Sequence, residues 1–350
     1  MIAETPCLLL DRARLDANCA RMREAVARRG ARLRPHVKTA KCVEVADAAL
    51  GDAPFRGIAV STLAEARFFA AAGWDDITYA VGVTPQKLPA AKAIDGLTVL
   101  TDDVDVAHAI ATAELHAWLE VDCGQGRGGC APDDPALIAA ARALGPRLRG
   151  VLTHGGQSYG CRSVEAAREV AEVERAAAVE AAERIRAAGV ACPEVSVGST
   201  PTALHAASLD GVTEVRAGVY VFFDLFQHAI GSCGRDDLAL SVLASVVSRR
   251  PDGSVWIDAG TLALSSERSL DAVGGSGFGE VTDLDGRPLG RVVSTNQEHG
   301  HVVGEAPLDL AVGAQLWVWP NHACITAAMH DRYHVVEAGR VVAEWPRLPG

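Results

Sequence analysis

From residue 11 to about residue 225 the chain alternates short apolar runs with alanine-rich stretches of helical character. That alternation constrains the fold more than any other feature of the sequence. The apolar runs fall at 32–38, 55–62, 76–82, 97–102, 117–124, 148–157, 194–200 and 214–222. The clearest helix lies between them at 163–188. Ser163 can cap its start, Glu180 and Arg184 form an i,i+4 pair, and Gly189 stands at the C′ position. Eight strand–helix units of this size predict an α/β fold, a parallel (β/α)8 TIM-type barrel, with an open doubly wound sheet as the alternative. Past residue 235 the pattern turns to β runs at 240–249, 254–259, 289–293, 314–319 and 332–345, with turn signals at Asp252-Gly253 and Asp285-Gly286. The expected organisation is a barrel over 11–235 and a second, mostly β C-terminal domain over 236–350, joined by a strand from residues 1–10. A chain of 350 residues is long enough for both.

The net charge of −11 repels phosphate backbones and anionic bilayers, which argues against nucleic acid and membrane partners. No apolar run reaches the roughly 18 residues of a membrane span, and the N-terminus lacks the basic and apolar regions of a signal peptide. The nine cysteines are widely spaced and form no CxxC pair, so neither a disulfide framework nor a zinc ribbon is expected. These features fit a soluble protein of a reducing cytoplasm, its thiols free or bound to a metal.

In a barrel of this kind the active site lies at the C-terminal ends of the strands. The unusual polar residues fall there: Pro35-His36-Val37-Lys38-Thr39, Asp122-Cys123-Gly124-Gln125-Gly126-Arg127, His154-Gly155-Gly156-Gln157-Ser158-Tyr159, Gly198-Ser199-Thr200 and Arg216-Ala217-Gly218-Val219-Tyr220. Lys38 closes an apolar run. A desolvated lysine is a nucleophile toward carbonyls and then a base; a solvated loop residue is the other reading. Gly198-Ser199-Thr200 before a short helical stretch suits a phosphate cradle, but also an ordinary turn and N-cap. Arg127 and Arg216 are cations for an anionic group or a ring nitrogen, or else salt-bridge partners. In Pro320-Asn321-His322-Ala323-Cys324, an extended segment would point His322 and Cys324 to one side as a zinc pair; a buried cysteine beside a hydrogen-bonded histidine is the alternative. Glu298-His299-Gly300-His301 is either a support for that metal or a solvated turn.

Taken together, these motifs resemble the D-serine dehydratase and D-threonine aldolase family, fold-type III pyridoxal phosphate enzymes related to alanine racemase through the barrel. The resemblance runs from Thr5-Pro6 through Arg34-Pro35-His36-Val37-Lys38-Thr39 and Asp258-Ala259-Gly260 to Pro320-Asn321-His322-Ala323-Cys324, nearly the whole chain. It implies that Lys38 attaches pyridoxal 5'-phosphate covalently and acts in catalysis with His154. It also implies that Gly198, Ser199 and Thr200 hold the phosphate, with His36, Arg127, His154, Tyr159, Arg216 and Tyr220 around the cofactor. His322 and Cys324 would bind a divalent metal. The thiolate favours zinc, with manganese or magnesium as other candidates.

The implied activity is a cytoplasmic lyase of D-amino acid metabolism. It would be a pyridoxal phosphate- and metal-dependent dehydratase turning a small D-β-hydroxy amino acid such as D-serine into a 2-oxo acid and ammonia. Within the family, dehydratases look like His-x-Cys at the metal and aldolases like His-x-Asp, and Cys324 favours the former. Retro-aldol cleavage to glycine and an aldehyde is the alternative. A non-catalytic pyridoxal phosphate-binding protein is a further one, opposed by the β domain and the metal motif. The family resemblance also implies a homodimer. Three positions depart from the pattern: Ala40 and Gln157, where histidines are common, and the stretch Ser265-Ser266-Glu267-Arg268.

Overall fold

A computed structural model describes residues 4–349. The chain divides into two compact units. One comprises Cys19–Lys38 and Val45–Gly218; the other comprises the N-terminal segment through Asn18, Thr39–Glu44, and the chain from Val219 onward. The first strand, β1 (Cys7–Asp11), belongs to the second unit.

The first unit is the parallel barrel. Its strands are β2 (Arg32–Pro35), β3 (Ile58–Val60), β4 (Ile77–Gly82), β5 (Leu97–Thr101), β6 (His116–Glu120), β7 (Leu148–Leu152), β8 (Glu194–Val197) and β9 (Glu214–Ala217). Each pairs in parallel with its neighbour in the order β2-β9-β8-β7-β6-β5-β4-β3. A single bridge from His36 to Ala59, with Val37 N–H donating to the Ala59 carbonyl at 2.9 Å, brings the ring nearly to closure. The strands are buried apolar runs, as a sheet covered on both faces requires. Trp118 on β6 packs with Leu100 and Leu152, and its Nε1 donates to Thr78 Oγ1 at 3.1 Å, so the one polar atom it buries is satisfied. Where β2 meets β9, fully buried Arg34 donates from Nε to both oxygens of Glu214 at 2.9 Å and from Nη1 to Asp76.

The strands stop earlier than the apolar runs suggested. β2 ends at Pro35 rather than 38, β7 at Leu152 rather than 157, β8 at Val197 rather than 200, and β9 at Ala217 rather than 222. Past β7 and β8 the residues are glycine or polar, and backbone groups turn from the ladder to loop partners: the Gly155 and Gly198 amides both donate to a side chain. The helix Val164–Ala187 forms as expected. The Ser163 side chain accepts from Ala166 N–H, Glu180 meets Arg184 at 3.2 Å, and Gly189 takes a φ of +82°.

The second unit is almost wholly antiparallel. Its later strands are β10 (Leu240–Arg249), β11 (Val255–Ile257), β12 (Glu280–Thr282), β13 (Pro288–Thr295), β14 (Gly300–Val303), β15 (Gln315–Trp319), β16 (Arg332–Glu337) and β17 (Arg340–Pro346). The order β11-β14-β13-β12-β15-β10 returns to β11, which closes a small barrel; β1, β16 and β17 extend it from β10. The N-terminal strand joins this sheet as expected, antiparallel to β10 and parallel to β16. The run expected at 332–345 is two strands. Ala338 and Gly339 both take positive φ, +47° and +74°, the two-residue turn that right-handed strand twist favours. β12 and β14 were not foreseen, being too short to show a period. Among the described residues no helix is long and apolar enough to cross a membrane. None of the nine cysteines is in a disulfide.

Candidate active site

The C-terminal strand ends of the parallel barrel gather most of the expected residues. His154, just past β7, places Nδ1 2.8 Å from the Gly198 carbonyl. A carbonyl only accepts, so Nδ1 carries the proton and Nε2 keeps its lone pair. Burial pushes this imidazole down to about 3; the Gly198 bond opposes that, and the charges of Arg216, Arg127 and Lys38 add to it. His36 is pushed down by burial and then by Lys38, Arg216 and His154, so these four side chains form one electrostatic group. The Tyr159 ring lies 6.3 Å from that of His154. Arg216, fully inside, donates to Ser196 Oγ at 2.6 Å and to the Thr153 carbonyl at 2.5 Å. Burial lowers it to about 10, against the pull of Glu214, Glu174 and Glu120, so it stays a cation at neutral pH.

One expectation changes here. Lys38 is exposed in the turn after β2 and does not lie on a buried strand, because the strand ends three residues earlier. Of the two readings of Lys38, the structure matches the residue in the turn after the strand. Arg127 is also exposed, in the loop after β6, with Nη2 3.9 Å from Glu120 Oε1. Gln157, standing where the family often has histidine, donates from Nε2 to the Cys123 carbonyl at 3.0 Å.

Gly198-Ser199-Thr200 forms a cup after β8. Gly198 has a φ of +137°, and a Cβ there would fall 2.1 Å from the Arg216 carbonyl oxygen, so only glycine fits. Ser199 caps the helix Thr200–His205 in a reciprocal box with Thr202. Thr200 Oγ1 is buried with no hydrogen-bond partner. A buried hydroxyl without a partner beside a glycine-only backbone fits an anionic group such as a phosphate.

The other unit holds Tyr220, His322 and Cys324. Tyr220 is fully buried in the turn Val219–Val221. His322 and Cys324 do not lie on an extended strand: His322 is the N-cap of the helix Ala323–Ala328, and Cys324 is in its first turn. The helical turn still brings the two side chains into hydrogen-bonding contact. Thr39 Oγ1 lies 3.1 Å from Cys324 Sγ. Asp224 Oδ2 accepts from Ala323 N–H at 2.9 Å and sits 3.2 Å from His322 Nδ1. Burial works against a charged His322, but the Cys324 sulfur and Asp224 outweigh it and push the ring up to about 11. Burial likewise raises the Cys324 thiol, yet His322 and Thr39 bring it down on balance.

An imidazole whose Nδ1 is tied to a carboxylate and a thiol held toward the thiolate make a donor pair suited to zinc. Among the described residues no group of three or more His, Cys, Asp or Glu side chains stands ready for a metal. The pair would therefore leave the remaining positions to water or substrate. Glu298 and His299 are exposed, while the His301 ring stacks on Trp256 and its Nε2 lies 2.8 Å from Ser254 Oγ.

Three supporting residues were given no role by the sequence. Thr39 stands in the motif of Lys38, and Asp224 carries no motif, although it is legible as an N-cap for Leu225–Ala229. Glu174 did leave a signal. It is the one carboxylate on the buried stripe Ala167, Ala171, Glu174, Ala178, Ala181, Ala182 and Ile185 of its helix.

Residues 10–225 match the family described as alanine racemase, N-terminal domain, and residues 239–336 match the putative serine dehydratase domain. The chain is 46% identical to D-threo-3-hydroxyaspartate dehydratase of Delftia sp. (strain HT23), across 99% of this chain and 98% of that one. It is 33% identical to a D-threonine aldolase of Arthrobacter sp, across 98% of this chain and 91% of that one. A solved structure of a D-threo-3-hydroxyaspartate dehydratase variant in the metal-free form superposes with a TM-score of 0.95 at 44% identity, covering 99% of this chain and 98% of that one.

Proposed function

The chain belongs to the D-serine dehydratase and D-threonine aldolase family of the alanine racemase-like fold, and from that premise we propose that it is a dehydratase of a D-β-hydroxy amino acid. The products are a 2-oxo acid and ammonia, with the β-hydroxyl leaving as water and a second water hydrolysing the resulting imine. The observation that carries dehydration over aldol cleavage is the metal-type pair itself. It is His322 with Cys324, the sulfur held by Thr39, the residue that follows Lys38 in the sequence. The small substrates that suit this reading are D-threo-3-hydroxyaspartate, D-serine and D-threonine.

Pyridoxal phosphate, when bound, supplies an electron sink for the substrate α-carbon, and a divalent metal supplies a Lewis acid toward the β-hydroxyl. The Lys38 amine would hold the cofactor and would be the group that takes the proton from the substrate α-carbon. Gly198, Ser199 and Thr200 hold the phosphate. His154 stays neutral at physiological pH and offers the Nε2 lone pair to its neighbours. Arg216 brings a fixed cation, held by Ser196 and Thr153 so that it cannot swing away. His322 and Cys324 ligate the metal, zinc by the softness of the thiolate. We place the enzyme in the cytoplasm as a homodimer, by analogy with its fold type.

The test is product identity from purified protein given pyridoxal phosphate, zinc and D-threonine. 2-Oxobutanoate with ammonia supports the proposal; glycine with acetaldehyde overturns it in favour of the aldolase. Cys324→Ala should lose metal and turnover while keeping the cofactor's bound absorbance, and Lys38→Ala should lose that absorbance.

A further inference from the structure

Glu174 lies in the middle of the helix Val164–Ala187 and is almost wholly buried. A buried carboxylate normally needs a cation against it. Among the described residues no salt bridge meets it, although the Arg216 charge favours the carboxylate. Its Oε1 instead accepts two backbone amides, Gly155 N–H and, at 2.8 Å, Gly198 N–H, and the carboxylate also hydrogen-bonds the Thr202 side chain. These donors come from two different loops, the one after β7 that carries His154 and the one after β8 that carries Ser199 and Thr200.

The Gly198 peptide is thus fixed at both ends. Its N–H goes to Glu174 and its carbonyl to His154 Nδ1. The same loops meet again where Ser158 Oγ lies 2.8 Å from Ser199 Oγ. Space is closed as well as bonded: a Cβ on Gly155 would come within 2.9 Å of Glu174 Cδ. What this clamp leaves without a partner is the buried Thr200 hydroxyl, beside the glycine-only Gly198 backbone.

We infer that Glu174 is a positioning residue for the phosphate cup: it locks the Gly198 peptide so that Ser199 and Thr200 face the phosphate, and it ties that cup to His154. The inference rests on the reading of Gly198, Ser199 and Thr200 as the phosphate site. It predicts that the carboxylate matters for the phosphate of the cofactor and not for its ring or aldehyde.

The experiment compares binding of pyridoxal phosphate with binding of pyridoxal, which lacks only the phosphate, in the full-length parent, Glu174→Ala, Glu174→Asp and Glu174→Gln. Glu174→Ala should weaken pyridoxal phosphate by about 10-fold or more while changing pyridoxal by no more than about 2-fold. Glu174→Gln keeps a carbonyl oxygen that can accept both amides, and should stay within about 3-fold of the parent. Should the alanine variant fail to fold, Glu174→Asp carries the same comparison, because one methylene less cannot reach both loops. Equal weakening of the two ligands, or none, overturns the inference and leaves the proposed function standing. A parent that binds neither ligand overturns the proposed function, and this inference with it.

Discussion

Asp224 makes the sharpest test of how the His322–Cys324 pair is prepared for a metal. Its two oxygens have separate duties. Oδ1 accepts from Gln227 N–H at 2.8 Å and caps the helix Leu225–Ala229; Oδ2 accepts from Ala323 N–H at 2.9 Å and faces His322 Nδ1 at 3.2 Å. Asp224→Asn keeps the shape and one carbonyl oxygen. With that oxygen on the Gln227 amide, the new NH2 faces His322 Nδ1 and Ala323 N–H. The ring can respond only by moving its proton to Nε2, which takes away the lone pair a metal needs. Zinc should then bind about 10–100-fold more weakly, ~1.4–2.8 kcal/mol, the usual effect of losing such a support. The Ala323 amide, left without an acceptor, should cost the fold a further ~1–3 kcal/mol. Metal-stripped protein competing with a chromophoric chelator for zinc gives the first number, and urea unfolding in excess chelator gives the second. An Asp224→Asn protein that binds zinc within about 2-fold of the parent would refute the orienting role.

Three further outcomes follow from the barrel. Removing Glu214 leaves Arg34 buried without its bidentate partner, so Glu214→Ala should lose about 3–5 kcal/mol in urea unfolding; the double replacement Arg34→Met with Glu214→Leu should lose less. Burial holds His154 down to about 3 against the ordinary 6.5, so below pH 6.5 the unfolded chain binds the extra proton. Its contribution to stability is complete above pH 6.5 and is lost as pH falls from there toward 3, so the parent should lose more stability than His154→Asn between pH 7 and pH 5; equal losses would count against a buried neutral ring. Gly198→Ala forces a Cβ to within 2.1 Å of the Arg216 carbonyl and should destabilise by at least about 2 kcal/mol, with pyridoxal phosphate binding lost alongside, as differential scanning and cofactor titration would report.

The sequence by itself determined what local chemistry decides. Eight apolar runs separated by helical stretches were enough for the parallel barrel. Ser163 and Gly189 set the ends of the long helix, and the change of period near residue 235 marked the β unit. The polar residues at the strand ends were legible for the same reason, since each motif is contiguous. Tertiary structure decided the rest. The loops after β7 and β8 are set by a partner far along the chain, Glu174, and β2 stops at Pro35, so Lys38 falls in an exposed turn rather than on a buried strand. The His322–Cys324 pair forms at a helix start, a geometry that spacing alone misread as extended. Its supports come from far along the chain, Thr39 at 285 residues from Cys324 and Asp224 at 99 residues from Ala323. Period and propensity act over a few residues, whereas these contacts exist only once the chain is folded back on itself.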